Sequence, residues 1–526
     1  MNNIDDYCRA FGLLLPEIFV VLAIVFASLW NLFVPKLKSF TPIVSLIGLA
    51  LAFCSLVLQT LHKTEVLFNG LYTIDPLTIS FGLIVVTVGM IVVFMTSGYE
   101  HHLGNNAGEF YAILLTAVLA VMLLAGSTDL IMLFVGIETL TICCVLLAGF
   151  TKKDQKSSEA SLKYLLSTAA TTATLLYGLS FIYGLTGSTN YDVIHEQMAY
   201  LLVPPTSLVK MSLLVMFTLV LLMSTIGFKL AAVPFHMWAP DVYEGAPTPV
   251  TAFLSIGSKA GGIVVALRLL MVVFSNAALD WGILLSVLSA LSMIVGNFIA
   301  LPQNSFKRML AYSSIAHIGY MLIGLITTTE AGLSAMVFYM IVYGVMNLGA
   351  FAGAILFSNE TGSDSIDDFA GLIRKRPGLA ILLSVCLLNL AGLPIPPAGF
   401  FAKLFVFGAG MSIPFVIAGI PIGPFLVGVG LLTSIPAIYY YTRVVIKMIV
   451  QEPSPVVANL PDRAKYIDSP QGGLHIALVS CVFAIFAAST FLVDPIMNFA
   501  HNSVRPVVPG MERTNPISSL PHRSFE

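Results

Sequence analysis

The run GFKLAAVPFHMWAPDVYEGAPTPVTAFLSIGSKAG, residues 227–261, decides how the chain reads. It begins inside an apolar segment holding Lys229, is interrupted by Pro234 and Pro240, and resumes after Pro247 and Pro249 as a second apolar segment with Lys259. Proline removes a backbone donor and clashes with the carbonyl four residues back, which predicts a kink or unwound stretch from Lys229 to Pro234. Pro247 and Pro249 stand at a helix start, where a missing donor is harmless. A charge in hydrocarbon is costly unless it pairs or reaches water, so each of these lysines is an ion-path candidate.

Composition extends that reading to the whole chain. The 526 residues are 57% hydrophobic and 10% charged, with a mean hydropathy of +0.93, whereas a soluble domain is about a quarter charged. The fold class is therefore an all-α polytopic membrane protein, since long apolar runs suit helices better than barrel strands. A formal net charge of -2 gives no support to nucleic-acid binding. Fourteen transmembrane helices are predicted, at about 11–34, 41–61, 77–97, 110–126, 128–150, 160–184, 208–239, 247–270, 281–301, 308–327, 333–357, 379–410, 424–448 and 473–494. The opening MNNIDDYCRA is acidic and short, and no small-residue cleavage site follows, so the first span reads as uncleaved. The tail from Asp494 reads as an extramembrane strap or partly disordered arm.

With both termini on one side, the other side receives Lys36, Lys38, Lys152, Lys153, Lys156, Lys307, Arg308, Arg374, Lys375, Arg376, Arg463 and Lys465. That lysine-rich side is expected to be cytoplasmic or its equivalent. An even number of spans keeps this segregation intact.

A second interruption follows the first. In NLAGLPIPPAGFFAK, residues 389–403, Pro396 and Pro397 are expected to stop a regular helix and leave Lys403 on the restarted half. Paired broken membrane helices point to internally repeated ion translocators. The interval from Lys229 to Lys403 nearly matches that from Gly149 to Gly324, which predicts two five-helix repeats, 110–270 and 281–448. An odd number of spans per unit makes the second inverted. A three-helix segment, 1–109, precedes them, and 449–526 supplies a loop, a final span and the tail.

Glu138, in LFVGIETLTICC at 133–144, is the matching buried acid, expected to hold Lys229 protonated across a helix interface. The second unit offers His317 in AYSSIAHIGY, with Tyr320, Tyr339, Tyr343 and Asn347, and then Lys403. Histidine titrates near neutral pH and bridges gaps between lysines with ordered water, although a structural interface histidine is the plainer reading. His236 reads as a cap of its broken segment. Lys210 lies nearer a segment end, with either role open. Arg268, Arg443, Lys447 and Lys163 read as helix-end charges reaching the interface. Asp241 and Glu244 read as a solvated loop before they read as partners of basic loops. The acidic pair Asp367 and Asp368, with Arg374, Lys375 and Arg376, is explained by topology, with a partner contact as the second reading.

The six cysteines, at 8, 54, 143, 144, 386 and 481, form no CxxC or four-ligand set, and Cys143 and Cys144 read as buried small residues. The His101-His102 pair is a weak metal signal. Neither a dinucleotide fingerprint nor a phosphate loop nor a zinc hydrolase pattern is found. No cofactor is expected in the chain, and energy for uphill transport must come from an ion gradient or another subunit.

Three long blocks carry a family resemblance: residues 227–261 quoted above, KRMLAYSSIAHIGYMLIG at 307–324 and LAGLPIPPAGFFAKLF at 390–405. They resemble the antiporter-like membrane subunits of respiratory complex I. TKKDQKSSEASLKYLLSTAA at 151–170 and YYYTRVVIKMI at 439–449 are similar, more narrowly, to the subunit 2 family of plastid and cyanobacterial NAD(P)H-quinone oxidoreductases. The resemblance covers roughly residues 10–450. It implies fourteen helices with inverted five-helix repeats and a non-redox place in a proton-pumping oxidoreductase. Its ion-path residues fall on Glu138, Lys229, Lys259 and Lys403. His317 stands where many related subunits use lysine, so the relay there is expected to depend more on water. Quinone and iron-sulfur clusters are implied in partner subunits, ferredoxin and plastoquinone as reactants of the whole complex, and the thylakoid membrane, cyanobacterial or plastid, as the location. Other membrane and peripheral subunits and lipid are the implied partners. A cation/proton antiporter subunit and a passive scaffold are the alternative functions.

Overall fold

In a computed structural model the chain is described over residues 4–33, 40–61, 63–202, 213–417, 419–461 and 471–508. Lys36, Lys38, Lys210, Arg463, Lys465 and the end of the tail lie outside the described residues. Helices α1 (Ile4–Leu13), α2 (Leu15–Phe33) and α3 (Thr41–Gln59) come first, before a small hairpin of β1 (Glu65–Leu67) and β2 (Tyr72–Ile74), antiparallel with Glu65 opposite Ile74. The chain continues as α4 (Pro76–Ser97), α5 (Glu100–Leu103), α6 (Ala107–Gly126), α7 (Leu130–Ala148), α8 (Gln155–Thr186), α9 (Tyr191–Leu202), α10 (Leu213–Leu230) and α11 (Trp238–Gly245). Next come α12 (Thr248–Phe253), α13 (Lys259–Ala266), α14 (Ala278–Ala300), α15 (Phe306–Ile326), α16 (Glu330–Thr361), α17 (Leu372–Lys375), α18 (Pro377–Ala391) and α19 (Ala398–Gly410). A second hairpin of β3 (Val416–Ile417) and β4 (Ile420–Pro421) leads to α20 (Ile422–Val450), α21 (Pro455–Ala458), α22 (Gly472–Thr490) and α23 (Val493–Val504).

Among the described residues, 12 helices are long and apolar enough to cross a membrane, and Leu15–Leu29, Pro377–Ala391 and Ala398–Gly410 are shorter apolar helices. Short polar side chains mark where several of the long helices begin. Asp75 accepts from the Thr78 amide at 2.9 Å, Asp129 from Ile131 at 2.8 Å and Asp154 from Lys156 at 3.0 Å. Each satisfies a donor that has no partner within its helix.

The bundle is graded from centre to rim. Every residue from 248 to 274 is buried, as is nearly all of α15 and α16. These helices are buried all round, which fits the middle of a large bundle. On α7, by contrast, Ile131, Val135, Ile142 and Leu146 are exposed along one stripe at helical spacing. An apolar stripe turned outward suits lipid as solvent.

Both expected interruptions are present, and each is completed by a neighbouring helix. α10 ends at Leu230, Ala231 takes φ +55°, and regular helix resumes at Trp238. The Val233 amide freed there donates to Ser292 Oγ of α14 at 2.9 Å, and Trp238 Nε1 donates to the Phe228 carbonyl at 3.1 Å. α18 ends at Gly392, whose φ of +83° suits glycine, and α19 restarts after Pro397. There the Ala398 amide donates to Ser489 Oγ of α22 at 3.1 Å and the Gly399 amide to Asn389 Oδ1 at 3.4 Å. Broken helices persist at membrane depth when protein groups satisfy the freed backbone in this way.

A Cβ on Gly399 would stand 2.0 Å from the Asn389 carbonyl oxygen, which belongs to backbone and cannot swing aside. Gly399→Ala is therefore expected to destabilise the subunit by about 1–3 kcal/mol through overpacking, read as a lower Tm in detergent. An unchanged Tm would contradict this.

The span read as a plain helix over 247–270 departs from expectation. It runs through two π-helical stretches, Leu254–Ser258 and Leu267–Val273, on either side of α13. Proline and glycine spacing gives no signal for such a widened turn. Of the tail, α23 packs against α4 and α16, with His501 Nε2 2.9 Å from Glu330 Oε1.

Two readings of surface charge are corrected. Asp241 and Glu244 are not a solvated loop: Arg308 Nη1 lies 3.0 Å from Asp241 Oδ1 and 2.9 Å from Glu244 Oε2, and Lys163 Nζ lies 2.8 Å from Asp241 Oδ2. These contacts tie α8, α11 and α15 together, and Lys163 is thereby an ion-pair partner rather than a free helix-end charge. Asp367 likewise pairs with Lys447, and Arg374 with Glu452. Partial burial opposes ionisation of Asp241, but Lys163 and Arg308 outweigh it and hold the carboxyl below its usual range. A depressed carboxylate stabilises fully above its unfolded pKa, and that contribution is lost as pH falls through the folded one. Lowering the pH below about 4 is expected to reduce the Tm of the wild type more than that of Asp241→Asn. Equal losses in both would contradict the assignment.

Candidate functional site

Lys229 occupies the last turn of α10 before the first break and is 7% exposed. Its Nζ donates to Thr141 Oγ1 on α7. Glu138, one turn earlier on α7, accepts from Thr172 Oγ1 of α8 at 2.7 Å. Residues i and i+3 share a helix face, which is why Glu138 and Thr141 both line one small cavity with Thr168, Thr171, Thr172 and Lys229. The acid and the base share this threonine-lined space, yet each is bonded to a hydroxyl and not to the other.

Lys259 follows directly after the first π-helical stretch and is 3% exposed. Its Nζ donates to the Ser314 carbonyl at 2.9 Å and also to Ser314 Oγ. That Oγ accepts from the Tyr343 hydroxyl at 2.8 Å, which in turn accepts from Asn347 Nδ2 at 3.1 Å. One central helix is thereby linked to α15 through Lys259 and Ser314, and onward to Tyr343 of α16, with no carboxylate among these bonds.

His317 lies three residues beyond Ser314, on the same face of α15, and is 2% exposed. Its Nδ1 is 2.8 Å from the Tyr339 hydroxyl and its Nε2 3.3 Å from that of Tyr441, while its ring centroid lies 4.8 Å from that of Tyr343. Tyr320 carries the line onward: Lys403 Nζ stands 5.2 Å over its ring centroid, within cation–π range. Asn297 Nδ2 holds the Tyr320 hydroxyl at 2.9 Å.

Lys403 is 8% exposed and donates to the Ala391 carbonyl at 2.9 Å. The break at Gly392 leaves that carbonyl at the end of α18, where a helix terminus attracts a cation. Lys403 stands on the restarted half of its broken segment, whereas Lys229 precedes its own break.

All five sequence-derived residues are thus at helix interfaces inside the bundle, with Glu138 the most accessible. Among the described residues, no carboxylate lies within ion-pairing distance of Lys229, Lys259 or Lys403. Their ammonium groups rest on neutral oxygens. A carboxylate locks a lysine in its charged form, while a neutral acceptor leaves its proton affinity open to nearby charge and water.

Sequence reasoning missed several participants. Ser314 was legible in principle, three residues before His317, and Thr141 three residues after Glu138. Arg268 was misread as a helix-end charge. It is 4% exposed, and its Nη1 and Nη2 each donate at 2.8 Å to the Asp75 carboxylate, while Nε donates to the Ala125 carbonyl at 3.0 Å. Its partner lies 193 residues away, so no local pattern could announce the pair. His236, expected to cap its segment, instead precedes the Met237 N-cap of α11, and its carbonyl accepts from the Ala239 amide at 2.9 Å in the turn of the break. Cys143 and Cys144 are buried as expected.

A family model described as NADH:quinone oxidoreductase/Mrp antiporter, TM, matches residues 127–423, the stretch that contains all five site residues. NAD(P)H-quinone oxidoreductase subunit 2 of Synechococcus sp. (strain JA-3-3Ab) is 44% identical over 504 residues, covering 93% of this chain and 92% of its own. The chain belongs to the NAD(P)H-quinone oxidoreductase subunit 2 family. Among solved structures, a chain of respiratory complex I from Thermus thermophilus with bound aureothin aligns at a TM-score of 0.72 and 29% identity, over 92% of this chain and 99% of that one. A chain of the Mrp complex from Dietzia sp. DQ12-45-1b shares the fold at a TM-score of 0.79 and 18% identity, over 95% and 98% of the two chains. For this subunit 2 family member, the described residues contain no group of three or more His, Cys, Asp or Glu placed to hold a metal. The His101 and His102 ring centroids lie 4.0 Å apart with the rings tilted at 41°.

Proposed function

We propose that this chain carries protons across the membrane as a non-redox subunit of a quinone oxidoreductase complex, along Glu138, Lys229, Lys259, His317 and Lys403. The observation that carries this reading is the line of buried lysines without counter-carboxylates, joined to a buried histidine by Ser314, Tyr343 and Tyr320. Each lysine can then gain or lose a proton as its neighbours change charge, which an ion-paired lysine cannot do readily. Redox chemistry belongs to partner subunits that hold iron-sulfur clusters and quinone. In a complex of the photosynthetic type the donor is ferredoxin, the acceptor plastoquinone and the site the thylakoid membrane, cyanobacterial or plastid.

Fourteen spans follow when α2 is counted and α18 with α19 are taken as one interrupted crossing. The inverted five-helix repeats, 110–270 and 281–448, are supported by a pair of corresponding helices. α8 and α16 both have 32 residues, and both end on a left-handed glycine, Gly187 or Gly362.

The test is proton translocation and quinone reduction in sealed membranes bearing Lys403→Ala, with assembly of the complex verified. Translocation per electron pair is expected to fall. A full ratio would make the buried charges structural and the subunit a scaffold. The fold likeness to an Mrp complex chain favours one second reading, a cation/proton antiporter subunit. Proton exchange that requires Na⁺ or K⁺ and proceeds without quinone reduction would establish that reading instead.

A further inference from the structure

Two buried hydroxyls near the Lys259 centre have no role in the relay above. Ser258 closes the π-helical stretch directly before Lys259, is 1% exposed, and its Oγ has no hydrogen-bond partner. Tyr243, in the last turns of α11, is fully buried, and its hydroxyl is also unpartnered. Leaving a buried hydroxyl unbonded costs stability, so each calls for a reason other than packing.

Their surroundings supply one. The Cys144 thiol, on α7 one turn beyond Thr141, faces Ser258 and lies in the field of Lys229. The Tyr243 hydroxyl faces Ser314 and Tyr343, and Ser314 Oγ is bonded to Lys259 Nζ. Tyr164 faces Ser258 as well and is held by stacking on Trp238, with ring centroids 4.5 Å apart. Cys144 thus neighbours Lys229, Ser258 and Tyr243, and Tyr243 in turn neighbours Ser314, the acceptor of Lys259. The widened turn at Leu254–Ser258 is the local feature that sets Ser258 and Lys259 at this junction, as π-helical turns do at many functional sites.

We propose that Ser258 and Tyr243 form the proton bridge between Lys229 and Lys259. One proton leaves the Lys229 ammonium for the first hydroxyl oxygen while that hydroxyl passes its own proton onward, and one proton arrives at the neutral Lys259 amine. Each hydroxyl ends with a single proton and a reversed orientation, and no oxidant or reductant is needed. This inference rests on the reading of the chain as a proton carrier.

The experiment compares Tyr243→Phe/Ser258→Ala, Ser258→Thr and Lys259→Ala in the assembled complex within sealed membranes. Protons translocated per electron pair are expected to fall in the double variant to the Lys259→Ala level, and to remain above that level in Ser258→Thr, which keeps a hydroxyl. A wild-type ratio in the double variant, with a reduced ratio in Lys259→Ala, overturns the bridge and leaves the proton-carrier reading intact. A wild-type ratio in Lys259→Ala overturns both. If the double variant fails to assemble, Tyr243→Phe alone decides, since it retains the ring: at least a twofold slower translocation supports the bridge, and the wild-type rate overturns it.

Discussion

Lys259→Met is expected to abolish proton movement through this subunit while leaving its stability unchanged or raised. Methionine keeps most of the volume of the lysine stem, and replacing a buried charge by a well-packed apolar side chain is often neutral or stabilising. The lost group is a proton donor and acceptor, whose contribution to a transfer step is on the order of 10²-fold or more. Translocation per electron pair and Tm, measured on the same membranes, separate these effects. A fall in both together would mark Lys259 as structural, its ammonium holding Ser314 of α15 against the central helix.

Arg268 should behave in the opposite way. Arg268→Ala is expected to lower stability by about 3–5 kcal/mol, because it leaves the Asp75 carboxylate buried and uncompensated. Both side chains are nearly inaccessible, at 5% and 3%. Asp75 also caps α4, accepting from the Thr78 amide, so the pair joins the start of α4, the end of α6 at Ala125 and the second π-helical stretch. A large loss of Tm or of assembled complex is the expected result. Assembled Arg268→Ala complex with a wild-type Tm would show that the pair is not what fixes these helices. The difference between the two residues is physical: Arg268 has a carboxylate partner and locks structure, whereas Lys259 has only neutral oxygens and remains free to titrate.

How far the sequence revealed this arrangement depended on the range of the interaction. Charges inside apolar runs are conspicuous because hydrocarbon tolerates few of them, so Glu138, Lys229, Lys259 and Lys403 stood out one by one. Proline and glycine constrain the backbone locally, and both helix breaks were legible for that reason. The oxygens that complete those breaks were not, since Ser292 and Ser489 come from helices distant in sequence. The same holds for Asp75 with Arg268, for Asp241 with Arg308, and for Tyr441 with His317. The π-helical turns beside Lys259 were hidden for a different cause: residues 248–273 are buried on every side, so no alternation of exposed and buried positions marks a change of period. The helical interfaces of α23 were likewise invisible behind a polar tail composition.

The central claim, that protons pass through these buried lysines, is tested most directly by protons translocated per electron pair in sealed membranes bearing Lys229→Ala, with assembly verified. A reduced ratio with the complex intact is the expected result. A wild-type ratio would make Lys229 structural and place the proton path outside this subunit.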